Sequence, residues 1–97
     1  RFVACLVLAR AAERALERWP DVLERYFQAH LLLSDHPAPL VRLALSASAR
    51  GEAPIARLFA GRARELDLDC EPIGVLTREE RASFDALLAE LGLRRAR

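Results

Sequence analysis

The sequence predicts an all-α protein, a small antiparallel bundle of about five helices in one domain over residues 1–97, and three observations predict it. Apolar residues recur at spacings of one, three and four along most of the chain. Prolines and glycines fall at the ends of those stretches, with Gly61 the exception. Thr77 followed by Glu80 three residues later is a capping box opening a further apolar stripe.

The first helix is predicted from about Phe2 to Arg18, a stretch rich in Ala, Leu, Glu and Arg, all strong helix formers. Pro20 with Asp21 behind it reads as a restart, because proline is tolerated in a first turn and an acid is favourable there. Val22, Leu23, Tyr26, Phe27, His30 and Leu31 form the stripe of the second helix. Residues Ser34 to Pro39 break it, since they combine turn formers with two prolines. Leu40, Leu43, Ala44 and Ala47 line the third helix, which stops at Arg50 and Gly51, a suitable left-handed cap.

Pro54 opens the fourth helix, whose predicted apolar face is Ile55, Leu58, Phe59, Ala63 and Leu66. Gly61 inside it costs about 1 kcal/mol relative to Ala, so it either admits a neighbouring helix or marks a weak point. Leu66 to Cys70 alternates as a strand does, and Ile73, Val75 and Leu76 follow Pro72. Lacking an obvious partner, the stretch reads as an irregular connector. Pairing with Phe2 to Ala9 would instead make the protein mixed α and β. Phe84, Leu87, Leu88 and Leu91 form the last stripe, Gly92 ends it, and Arg94 to Arg97 read as a solvated tail.

A chain of 97 residues buries only about 60 to 65% of the surface its unfolded form exposes. Modest stability is expected unless it docks on something. Fifteen basic residues against fourteen acidic ones leave a charge of +1, too little to steer nucleic acid or an acidic substrate to the protein. Every basic residue is Arg, and Lys, Asn and Met are absent. That composition points to a GC-rich bacterial genome and weakens any argument that a given Arg was selected for its guanidinium. A start at Arg1 rather than Met implies a processed product or a piece of a longer one. Cys5 and Cys70 are too few and too different in setting for a disulfide framework and read as free thiols.

No span reaches the roughly 18 to 20 apolar residues of a transmembrane helix. Phe2 to Ala9 is nevertheless an unbroken apolar run followed by Arg10, Arg14 and Arg18. It reads either as the end of a membrane helix emerging into an Arg-flanked cytoplasmic segment or as the buried first turn of a soluble helix.

Catalytic, cofactor and metal residues are each expected to be none. His30 and His36 are six apart, not the one-turn spacing of helical metal ligands; His30 falls on an apolar stripe as a satisfied boundary histidine, and His36 in a turn, solvent-facing or capping. Ser34, Asp35 and His36 hold the residue types of a nucleophilic triad, but three consecutive residues cannot form its relay through space. Glu13, Glu17, Asp21 and Glu24 interleave with arginines as a solvated helix face. Gly51, Gly61, Gly74 and Gly92 are isolated, so no phosphate-cradling loop exists. Arg57, Arg62 and Arg64 could touch phosphate or anionic lipid, but the interspersed acids favour a solvated face.

Read as a string, residues Arg18 to Gly92 resemble stage III sporulation protein AB. The matching features are Glu17, Arg18, Trp19 and Pro20 after the apolar segment, then Pro39 and Leu40 at a helix junction. Pro54, Leu58 and Phe59 follow, and a leucine-led helix runs from Leu76 to Leu91 and Gly92. The chain departs from that family in lacking a glycine before Pro39, in a shortened stretch between Phe59 and Thr77, and in lacking a second membrane segment. The resemblance implies a cytoplasmic helical domain of a channel-like complex, similar to the inner-membrane platform protein of type II secretion. Its role would be scaffolding, with an assembly ATPase and membrane components as partners and a membrane helix before residue 1. The other expectation is a soluble helical adaptor or regulatory module. Both are non-enzymatic, bind protein rather than nucleic acid or a small-molecule substrate, and use no cofactor.

Overall fold

The computed structural model describes residues 2–14, 18–33, 36–66 and 76–93. It contains five helices: α1 (Phe2–Arg14), α2 (Trp19–Leu32), α3 (Ala38–Ala49), α4 (Ala53–Ala63) and α5 (Arg78–Glu90). Among the described residues there is no strand, so the all-α prediction holds. Phe2 to Ala9 belongs to α1, which removes the alternative of a β-ladder. Predictions for Glu17, Ser34, Asp35, the connector from Asp67 to Val75 and the tail from Arg94 lie outside the described residues.

Six helix boundaries follow from local chemistry. Each of α2, α3 and α4 carries a proline in its first turn, where a missing N–H leaves no helical bond unmade. At the end of α3, Gly51 takes φ +78° and Glu52 N–H reaches back to the Ala47 carbonyl at 2.9 Å, with Gly51 N–H on Ser48. Gly92 at φ +73° repeats the arrangement after α5, with Leu93 N–H on the Leu88 carbonyl at 2.8 Å. Both are Schellman caps, which need a residue that tolerates positive φ. The predicted capping box is also present: Glu80 N–H donates to Thr77 Oγ1 and Thr77 N–H to the Glu80 carboxylate, both at 3.0 Å.

Helix α3 is the axis of the fold. Ala38, Pro39, Leu40, Val41, Leu43, Ala44, Ser46 and Ala47 are all buried, so it is covered on more sides than the single predicted face. It packs against α2, α4 and α5, while α1 packs against α2. Tyr26 from α2 and Phe84 from α5 are the largest fully buried side chains. Val22, Leu6, Leu43 and Val41 complete the centre.

The stripe assigned to α4 requires correction. Ala63 is buried as predicted, and Phe59 and Leu66 pack against the core, but Ala56 and Ala60 are buried as well and Leu58 is 62% exposed. Alanines let the backbones of α3 and α4 approach closely, and this pair forms the most extensive helix contact in the fold. The larger Leu58 is turned outward, opposite those alanines. Gly61 admits no neighbour, because a Cβ built there meets nothing within 4 Å. It is therefore a weak point, and Gly61→Ala is expected to stabilise the protein by about 0.5 to 1 kcal/mol. Urea titration followed by circular dichroism checks this; an unchanged or lower midpoint would contradict it.

Candidate functional site

Two features outside the apolar core carry chemical character, a polar cluster and an apolar recess. The cluster joins α1, α2, α3 and α5. Glu80 accepts Arg42 Nε at 3.0 Å and a bond from Arg10, so one carboxylate on α5 holds guanidinium groups from α1 and α3. Beside it, Glu13 on α1 accepts the Tyr26 hydroxyl at 2.8 Å and the Ser46 hydroxyl. An open recess of about 200 Å³ overlies these groups, lined also by Leu45 and Ala49.

The electrostatics fit internal pairing. Burial by itself pushes the Glu80 carboxyl up, but hydrogen bonds from Arg42 and the Thr77 backbone, with the charges of Arg42 and Arg10, outweigh it and hold it below 4.5. Tyr26 is pushed up by burial, then by its bond to Glu13 and that carboxylate's charge. It therefore remains a neutral hydroxyl that donates. Each anion is matched by cations or hydroxyl donors, so the cluster satisfies charges that the fold partly buries.

Glu13 corrects the expectation of a solvated acidic face. Asp21 and Glu24 are exposed as expected, but Glu13 points inward to Tyr26 and Ser46. Ser46, a hydroxyl between the buried Leu43 and Ala47 of α3, was the sequence signal for an inward polar partner.

The histidines are apart in role. His36 is buried, and its Nδ1 accepts the Ala38 N–H at 3.2 Å, which is the capping role. His30 is a half-buried boundary residue as expected, packed on Phe27 with ring centres 5.6 Å apart. Its Nδ1 is buried and has no hydrogen-bond partner among the described residues. Burial, and then the nearby Arg62 charge, hold its pKa below 6.5. Among the described residues no group of three or more His, Cys, Asp or Glu could hold a metal ion. Cys5 is a half-buried free thiol, and Cys70 lies outside the described residues. In the arginine group, Arg57 donates to the Leu91 carbonyl at 2.9 Å, tying α4 to the end of α5, while Arg62 is exposed.

The apolar recess, about 210 Å³, lies between α2 and α4 and is lined by Phe27, His30, Leu40, Leu58, Phe59 and Arg62. Phe27 is 42% exposed, and Leu31, one turn further along α2, is 67% exposed. Both were assigned to the buried stripe. At 100° per residue they point well away from Val22, Tyr26 and Ala29, the residues α2 does bury. On α1, Leu6, Ala9 and Ala12 are buried, but Val7 and Leu8 remain over half exposed. From Leu6 to Ala9 the apolar run is therefore covered on one side only. Among the described residues no helix is long and apolar enough to cross a membrane.

No protein-family model, curated protein or solved structure matches the chain.

Proposed function

We propose that this chain is a non-catalytic helical interaction domain that docks on a protein partner through the α2/α4 face. The observation that supports this reading best is the grouping of Phe27 and Leu58 around one recess, with the exposed Leu31 one turn from Phe27 along α2. Single exposed leucines are ordinary, whereas adjoining ones about a concavity mark a docking surface. Covering such area is worth about 25 cal/mol per Å², stabilisation that a small domain does not obtain from its own core. The polar cluster, by contrast, spends its groups on one another.

The resemblance to stage III sporulation protein AB supports a finer form of the reading. In that form the domain sits at the cytoplasmic face of a secretion-platform-like membrane complex and contacts an assembly ATPase. The outward apolar side of α1, with Val7 and Leu8 exposed, suits a helix close to further apolar structure. A gene encoding no hydrophobic segment before Arg1 would remove this form and leave the soluble adaptor.

Photo-crosslinking in the source cells tests the docking role. With benzoylphenylalanine in place of Phe27, irradiation is expected to give one adduct of defined mass that is lost in the Leu31→Gln/Leu58→Gln background. The same adduct from position 82, exposed on α5, which does not line the recess, or its persistence in the double variant, would contradict the proposal.

A further inference from the structure

The recess between α2 and α4 has a chemistry that selects its occupant, and this deepens the interaction role proposed above. Its base includes Leu40, only 2% exposed, and its sides include Phe27 and Leu58. A sealed apolar cavity of about 150 Å³ takes a benzene ring, so an open recess of about 210 Å³ has room for one large apolar side chain. Its polar lining is entirely basic: Arg62 and His30, with no acidic residue among the described lining. Arg62 has no carboxylate partner among the described residues. Burial first, and then the Arg62 charge, lower the His30 pKa, so Arg62 is the charge that the recess presents.

The shape indicates what form the occupant takes. Phe27 and Leu31 make an i, i+4 ridge on α2, and Leu58 and Arg62 make another on α4. Two such ridges flanking a recess suit the side chains of a third helix. We infer that the α2/α4 recess binds an amphipathic helix of a partner protein, seating one Leu or Phe between Phe27 and Leu58 and an Asp or Glu one turn away against Arg62.

Two other occupants fit less well. A symmetric second copy brings each Arg62 to a self-complementary interface without supplying an acid from the recess. A lipid surface is recognised by clusters of several basic residues, whereas this recess holds one Arg and one His.

The test pans a phage-displayed library of amphipathic helical peptides against the full chain. One position is fixed as Leu or Phe, and the flanking positions are randomised. Asp or Glu is expected to be enriched one turn from the apolar anchor. The selected peptides are expected to weaken by about tenfold on Arg62→Glu and to lose binding on Leu58→Glu. Changing the peptide acid to Lys should restore affinity for Arg62→Glu. Both substituted residues are exposed, and circular dichroism of the variants verifies that the fold is kept.

Peptides that depend on Leu58 but show no acidic preference would overturn the inferred partner chemistry while leaving the docking role standing. Peptides indifferent to Leu58→Glu would overturn both. Sedimentation showing a dimer abolished by Leu58→Glu would assign the recess to a second copy. Cosedimentation with phosphatidylserine vesicles, lost on Arg62→Glu, would assign it to lipid; either result overturns the inference.

Discussion

Phe84→Ala is expected to cost about 3 to 5 kcal/mol, which for a domain with a total stability of about 5 to 15 kcal/mol leaves little margin. The ring is fully buried from α5 into the same cluster as Leu43, Val41 and Tyr26. Removing it deletes the transfer free energy of an aromatic side chain and leaves a void that α3, already packed on several sides, cannot collapse to fill. Chemical denaturation measures the effect: the midpoint should fall sharply with an unchanged slope if the transition remains two-state. A loss below about 1 kcal/mol would mean that α5 does not sit where the structure puts it.

Glu80→Gln is expected to cost about 1.5 to 3 kcal/mol, less than the loss of a fully buried ion-pair partner because the cluster is partly open to water. Glutamine can still serve in the capping box, so the change isolates the charge. Arg42, whose side chain is 12% exposed, and Arg10 would then converge on a neutral group. The same residue sets a pH dependence. Because the Glu80 carboxyl is held below 4.5 in the folded state, its stabilisation is complete above that value and is lost as pH falls through the lower, folded one. His30, also depressed, adds a loss of stability that begins as pH falls below 6.5. Thermal midpoints of wild type and Glu80→Gln should therefore differ most near neutrality and converge in acid, both retaining the His30 portion. A constant gap across that range would contradict the assignment of Glu80 as the charged clasp.

The helices were legible from residue types whose effect is local. Pro20, Pro39 and Pro54 in first turns, Gly51 and Gly92 at left-handed caps, and the Thr77 and Glu80 pair each act within a few residues of backbone. Which apolar side chains are buried depended on neighbours instead. In α4 the small Ala56, Ala60 and Ala63 face inward and Leu58 outward, because close approach to α3 favours small side chains over large ones. In α2 the apolar stripe was wider than one helix face, so Val22 and Tyr26 could be covered only with Leu31 left outside. The polar cluster was half visible. Glu80 was marked by its cap position, but its distant partners Arg10 and Arg42 lie 70 and 38 residues away in the chain, and arginine is too common here to single them out.

The docking account depends on Leu31 and Leu58 being dispensable to the folded chain itself. The thermal unfolding midpoint of purified Leu31→Gln/Leu58→Gln tests this most directly, since Gln keeps nearly the helix propensity of Leu. The account predicts a midpoint within about 3 °C of wild type, whereas a fall of more than about 10 °C, equivalent to well over 1 kcal/mol in a domain of this size, would show that these leucines are core residues and that the proposed face is not available to a partner.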